Sequence, residues 1–167
     1  MPTIFTHPAV ALLKPWFPRV PRAAIAAAAV CSIVPDADVA AFRLGIPYAA
    51  TFGHRGFTHS ILFAGIVALI ATAVIRPAQY RVATFAFLFL CTLSHGLLDA
   101  CTDGGLGVAL LSPFSNHRYF FAFRPIHVSA IGTAFFSARA LRTLTSEVIW
   151  VWLPCAIFGL TGWAKSK

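Results

Sequence analysis

Apolar residues run in blocks along this chain, and short polar or proline-rich turns separate the blocks. Residues 23–34 (AAIAAAAVCSIV) are Ala-rich and stop at Pro35, and residues 57–75 are apolar from Ile61 on and stop before Arg76-Pro77. Residues 82–98 form a third run, and residues 147–163 form a last one, interrupted by Pro154. Residues 104–114 are Gly-rich and apolar, and residues 128–144 are mixed, with Arg139 and Arg142. Upstream, residues 1–22 hold five prolines, and the stretch from His7 to Lys14 predicts a short helix that Pro15 ends. A helical bilayer crossing needs about 20 residues. Only the runs near 57–75, 82–98 and 147–163 approach that length; the others predict half-spans, tilted helices or helices buried in a bundle. The expected fold is therefore all-α: a compact helical integral membrane bundle with several short or half-span helices, in a single domain over residues 1–167.

Composition strengthens this reading. Hydrophobic residues make up 59% of the chain and charged residues 11%, against about 25% charged in a soluble domain. Too few charges remain to coat a water-exposed surface, so lipid must cover much of it. The net charge is +8, from 13 Lys and Arg against 5 Asp and Glu. No basic run is interleaved with aromatics in a polar segment, which argues against a nucleic-acid partner. Basic residues instead flank the apolar runs, where they set orientation and meet anionic headgroups. The four cysteines form no CxxC pair and read as small buried hydrophobes. The N-terminus lacks the basic, apolar and small-residue order of a cleavable signal peptide, so none is expected.

The five acidic residues carry the most information. Four fall in two tight groups, Asp36 with Asp38 and Asp99 with Asp103; Glu147 is the fifth. His7 opens the first short helix, and Asp36 and Asp38 follow the end of the second. His54, Arg55, His59 and Ser60 open the third, His95 and Asp99 close the fourth, and Glu147 opens the last span. If successive helices run antiparallel, as short loops favour, all of these positions fall on one face. The opposite turns hold Lys14, Arg19, Arg22, Arg76 and Arg81, with no His and no acid.

That sorting fits a metal site. His95 and Asp99 are spaced i, i+4 and share one helical face. Imidazole nitrogen and carboxylate oxygen are ordinary ligands of zinc, manganese or iron. Asp36 and Asp38 can both turn toward one centre from a helix end, and His54 and His59 bracket a turn entering a helix. Arg55 has the forked geometry to hold a phosphate oxygen. With more candidate ligands than one ion needs, one or two ions fit the set. His117 and His127 read as structural residues, and Pro35-Asp36 is also a plausible turn.

These residues resemble a known family. Thr6-His7, Pro35-Asp36-Ala37-Asp38, His54-Arg55-Gly56-Phe57-Thr58-His59-Ser60, Ser94-His95-Gly96-Leu97-Leu98-Asp99 and Thr102-Asp103-Gly104-Gly105, with Arg124-Pro125-Ile126 and Glu147, are similar to the YdjM-type family of bacterial inner-membrane proteins. That family is described as LexA-regulated, metal-dependent hydrolases and is distantly similar to all-helical zinc-dependent phospholipases C. The resemblance covers about residues 6–147. It implies a helical fold and hydrolysis of a phosphoester by a metal-activated water. The sequence departs from the pattern after Thr102-Asp103-Gly104-Gly105, where an apolar stretch follows, so Asp103 also reads as a turn residue.

The expected function is a multi-pass inner-membrane hydrolase that cleaves a phosphoester of a lipid or lipid-linked substrate. His7, Asp36, Asp38, His54, His59, His95 and Asp99 are the candidate ligands of one or two divalent ions, zinc first, then manganese or iron. Arg55, Ser60, Arg124 and Glu147 are the candidate catalytic residues, the arginines for phosphate charge and Glu147 as ligand or general base. A transporter using these groups as an ion path would place polar residues at mid-span, where this chain is almost wholly apolar. A non-enzymatic scaffold with a closed structural ion is the other alternative. Five basic residues in the turns away from the site would put those turns in the cytoplasm and the cluster on the periplasmic side, while Arg43, Arg55, Arg118, Arg124, Arg139 and Arg142 on the site side count against that orientation.

Overall fold

The computed structural model describes residues 1–77, 79–129 and 138–165. A 3-10 helix, His7–Trp16, comes first. Helix α1, Ala23–Cys31, leads into a 3-10 turn, Val34–Val39, and a single turn α2, Ala40–Arg43. A second 3-10 turn, Phe57–His59, precedes α3, Ile61–Ile75, and α4, Arg81–Ala100. The last stretch holds α5, Ala138–Glu147, a π-turn, Val148–Trp152, and α6, Leu153–Lys165. Among the described residues there is no strand, only isolated bridges between Thr102 and Ile126 and between Val108 and Tyr119.

Among the described residues, three helices are long and apolar enough to cross a membrane: Ala23–Arg43 (21 residues), Arg81–Ala100 (20) and Ala140–Lys165 (26). The first differs from the sequence expectation, which stopped the apolar run at Pro35. Pro35 opens the 3-10 turn, where its missing N–H has no helical partner to lose, so the chain continues helically through Asp36 and Asp38. The run at 57–75 differs in the other direction. Ser60 is extended (φ −81°, ψ 159°), so α3 starts only at Ile61 and has 15 residues. Pro15 does not end the first helix before itself; it is accommodated inside and the helix closes at Trp16. Pro154 interrupts nothing either. A π-turn just before it widens the backbone where the proline ring would meet the carbonyl four residues back. That continuity also moves Glu147 inside the last span rather than to its start.

The core is built from small residues. Ala24 and Ala28 of α1 meet Ala68 of α3 and Phe87, Leu88 and Cys91 of α4, with Ala11 and Val20 beside them. Small side chains let helix backbones approach closely where no water drives them together. Gly159 shows the same logic: a Cβ there would lie 2.6 Å from the Leu12 carbonyl oxygen, so α6 packs backbone-close on the first 3-10 helix. Large apolar side chains such as Leu69, Val74, Val82 and Leu160 face outward, as lipid contact requires.

Candidate metal centre

The α1 end, the α3 start and the α4 end converge, and they bring six of the candidate ligands together. Asp36, His59, His95 and Asp99 each direct one ligand atom into a set lying within 4.8 Å; Asp36, Asp38, His54 and His59 form a second, overlapping set. All six of these side chains are buried. The i, i+4 spacing places His95 and Asp99 on the buried face of α4, while the 3-10 geometry of Val34–Val39 turns both Asp36 and Asp38 inward.

The imidazoles are oriented from behind. His95 Nδ1 donates to the Ser32 carbonyl at 2.7 Å, which fixes the proton there and leaves Nε2 as a lone pair. His95 Nε2 lies 3.0 Å from His59 Nε2 and 3.4 Å from Asp36 Oδ1. His59 turns Nδ1 to Asp38 at 3.2 Å and Nε2 to Asp99 at 3.2 Å. Asp38 gathers donors with both oxygens: His54 Nδ1 at 2.6 Å, the Arg55 N–H at 3.1 Å and the Thr58 hydroxyl. Carboxylates placed behind metal-binding imidazoles act in this way.

Asp36 contrasts with Asp38. Both oxygens of Asp36 are buried without a hydrogen-bond donor, and both ring nitrogens of His7 are buried without a partner. Buried carboxylates are rarely left so. Asp99 does have an ion pair, with Arg55 Nε at 3.0 Å. His7 stacks on His95 with ring centroids 3.7 Å apart, and its Nε2 is 3.9 Å from Asp36 Oδ2. Burial, together with the neighbouring His95, holds His7 well below its usual pKa and so neutral. For His59 burial acts in the same direction, but hydrogen bonds to Asp38 and Asp99 outweigh it and raise its pKa to about 9.

A divalent ion fits this donor set. Three buried carboxylates face one buried guanidinium and the His59 imidazole, so the cluster stays net negative, and a divalent ion would take the place of the proton that His59 holds without it. Two nitrogens bound tetrahedrally to a zinc-sized ion stand about 3.3 Å apart, close to the 3.0 Å between the two Nε2 atoms.

Arg55 and Ser60 occupy supporting positions. Arg55 is 1% exposed, and besides Asp99 it donates to the Gly104 carbonyl at 2.9 Å and the Thr102 hydroxyl at 3.1 Å. Its backbone is left-handed (φ 60°). Gly105 explains the glycine in the Thr102–Gly105 element: a Cβ there would lie 2.7 Å from Arg55 Nη1. Ser60 caps α3 by accepting the Phe63 N–H at 3.1 Å. Glu147 is buried against the other end of the chain, where it accepts from the Thr3 N–H and the Thr3 and Thr6 hydroxyls, the latter two at 2.6 Å. Arg124 is exposed, with its guanidinium 4.8 Å above the Phe120 ring. Asp103 and His127 pair with each other at 2.7 Å, and Asp103 also accepts the Val128 N–H.

Sequence reasoning missed Arg118. Its guanidinium donates to the carbonyls of Tyr48, at 2.8 Å, and of His54, at 3.1 Å, pinning the loop that presents His54 and Arg55. Carbonyl acceptors have no residue identity, so no sequence signal marks such a clamp.

Fold and site together define a multi-pass membrane protein with a buried His/Asp cluster that could hold a metal ion. The chain belongs to the YdjM inner membrane protein family, whose model matches residues 1–167. It is 36% identical, over 173 residues and 99% of both chains, to the inner membrane protein YbcI of Escherichia coli strain K12. No solved structure matches it.

Proposed function

We propose that this protein is a metal-dependent hydrolase embedded in the inner membrane, cleaving a phosphoester of a lipid or lipid-linked substrate. One observation carries the reading: Asp36 Oδ1 lies 3.4 Å from His95 Nε2 and Asp99 Oδ2 lies 3.2 Å from His59 Nε2, so four ligand atoms converge in a buried, net-negative cluster. Asp36, His59, His95 and Asp99 would hold the ion, most simply zinc, with His7 beside them. Asp38 and His54 complete the overlapping set that a second ion would use. Bound there, a divalent ion supplies Lewis-acid polarisation of a phosphoryl oxygen and a more acidic water.

The chain's own residues do the rest. Asp38 orients His54 and His59, Ser32 orients His95, and Arg55 fixes Asp99. Arg55 has its donors engaged within the protein, so its part is to place Asp99 rather than to grip substrate. A lipid substrate suits a site set within an apolar helical bundle. The basic turns at the far end favour a cluster on the periplasmic side. Lys165 joins those turns, standing 4.7 Å above the Trp16 ring.

The test is metal analysis of detergent-purified wild type and His95→Ala/Asp99→Ala, followed by phosphate release from phospholipids and lipid pyrophosphates in mixed micelles. One or two equivalents of metal, lost in the double variant, with chelator-sensitive release, is the expected result. Bound metal with no turnover on any phosphoester would replace catalysis by a structural ion. Absence of metal after reconstitution would overturn both readings.

A further inference from the structure

At the end of the bundle opposite the cluster, α3 and α4 part around a cavity of about 450 Å³. Its walls are apolar: Leu69 and Ala73 from α3, Val82 and Phe85 from α4, with Arg76 and Arg81 in its lining. The one hydroxyl in the wall, on Thr72, is already donated to the Ala68 carbonyl at 2.7 Å. Leu69 is 63% exposed and Val82 82%, so the groove opens on the side that faces lipid. A neighbouring cavity also reaches Arg81 and is lined by Arg19 and Tyr80.

None of the chain's five Asp and Glu side chains pairs with these arginines. The chain has five acidic residues. Asp36, Asp38 and Asp99 lie in the cluster, Glu147 is held by Thr3 and Thr6, and Asp103 pairs with His127. Among the described residues the acidic side chains leave the counter-charge at this end to an outside anion. Arg76 adds an independent sign. It closes α3 in the left-handed region (φ 49°), where glycine would carry no steric penalty. A bulky residue kept in such a conformation is a pointer to function.

We propose that this groove binds one anionic phospholipid, its phosphate held between Arg76 and Arg81 and one acyl chain lying along Leu69, Ala73, Val82 and Phe85. The volume suits such a ligand, within the ~300–1,000 Å³ of ordinary small-molecule sites. A soluble acidic protein would match the arginines but would leave the apolar groove unfilled. The charge and the groove together select a lipid.

The experiment is native mass spectrometry of the full chain released from mild detergent, titrated with phosphatidylglycerol and phosphatidylcholine of identical acyl chains. Wild type is expected to keep one phosphatidylglycerol with roughly tenfold or greater preference, since each arginine near a headgroup contributes about a fivefold effect. Arg76→Gln/Arg81→Gln should bring the two lipids within about twofold of each other. Ala73→Trp, which fills the groove and leaves the charge alone, should lower phosphatidylglycerol binding. Metal content should be unchanged in all variants, which separates this site from the hydrolase reading. Equal binding of both lipids to wild type, a preference that survives the arginine variant, or full competition by deacylated glycerophosphoglycerol would overturn the proposal.

Discussion

His59 and His95 point their Nε2 atoms at each other across 3.0 Å, and the Nδ1 of each is held from behind, by Asp38 and by the Ser32 carbonyl. Two imidazole lone pairs aimed at one point repel unless a cation or a proton lies between them. The packing of α4 against the turn before α3 enforces that meeting, which a proton on His59 or a bound cation can bridge.

Asp38 should matter through the imidazoles. Asp38→Asn keeps the volume but weakens the acceptor for His54 and His59. Metal affinity is expected to fall by about 10–100-fold with stoichiometry retained, whereas Asp36→Ala should abolish binding. Competition against a chromophoric chelator reads both.

Arg55→Ala should destabilise chelator-treated protein by about 3–5 kcal/mol, because it strands the buried Asp99 charge. Arg55→Gly should be nearly as costly even though it relieves the left-handed backbone. Thermal denaturation in detergent measures both, and adding divalent ion should recover part of the loss.

Two glycines make a matched pair. A Cβ on Gly96 would lie 2.7 Å from the His59 carbonyl oxygen, whereas one on Gly65 meets nothing within 4 Å. Gly96→Ala should displace His59 and weaken metal binding. Gly65→Ala should raise stability by up to about 1 kcal/mol and leave the metal untouched.

Glu147→Ala removes the acceptor shared by Thr3 and Thr6. The first residues should then detach from the last span, and hydrogen exchange there should rise sharply. Metal stoichiometry should hold, because Glu147 contacts the threonines and not the cluster.

Asp103 offers a pH readout outside the spans. Burial works to raise its pKa, but hydrogen bonds from His127 and Val128 outweigh it and hold the carboxyl below the usual range. A depressed folded pKa contributes stability above the unfolded value of about 4 and loses it as pH falls. Asp103→Asn should therefore flatten the acid limb of the thermal-stability profile below about pH 5. The effect will be small, since the pair is nearly half exposed.

Much of this was legible in the chain. Antiparallel runs with acids and histidines at alternate ends implied the convergence of Asp36, His59, His95 and Asp99, because period and turn length are local properties. Helix ends were not. Pro35 read as a stop and Pro154 as an interruption, yet the 3-10 turn and the π-turn absorb them, a choice made by packing. Arg55 read as a substrate grip because its neighbours in sequence do not reveal that Thr102 and Gly104 will take its donors. Arg124 drew attention by its motif but lies out over Phe120.

The candidate ligands come from residues 36, 59, 95 and 99, on segments that enter the bilayer one after another. Asp36 emerges from the ribosome long before His95, so the ion's place does not exist until α4 has been threaded back beside α1. Any coordination there would thus be a late event in biogenesis, waiting on a completed topology.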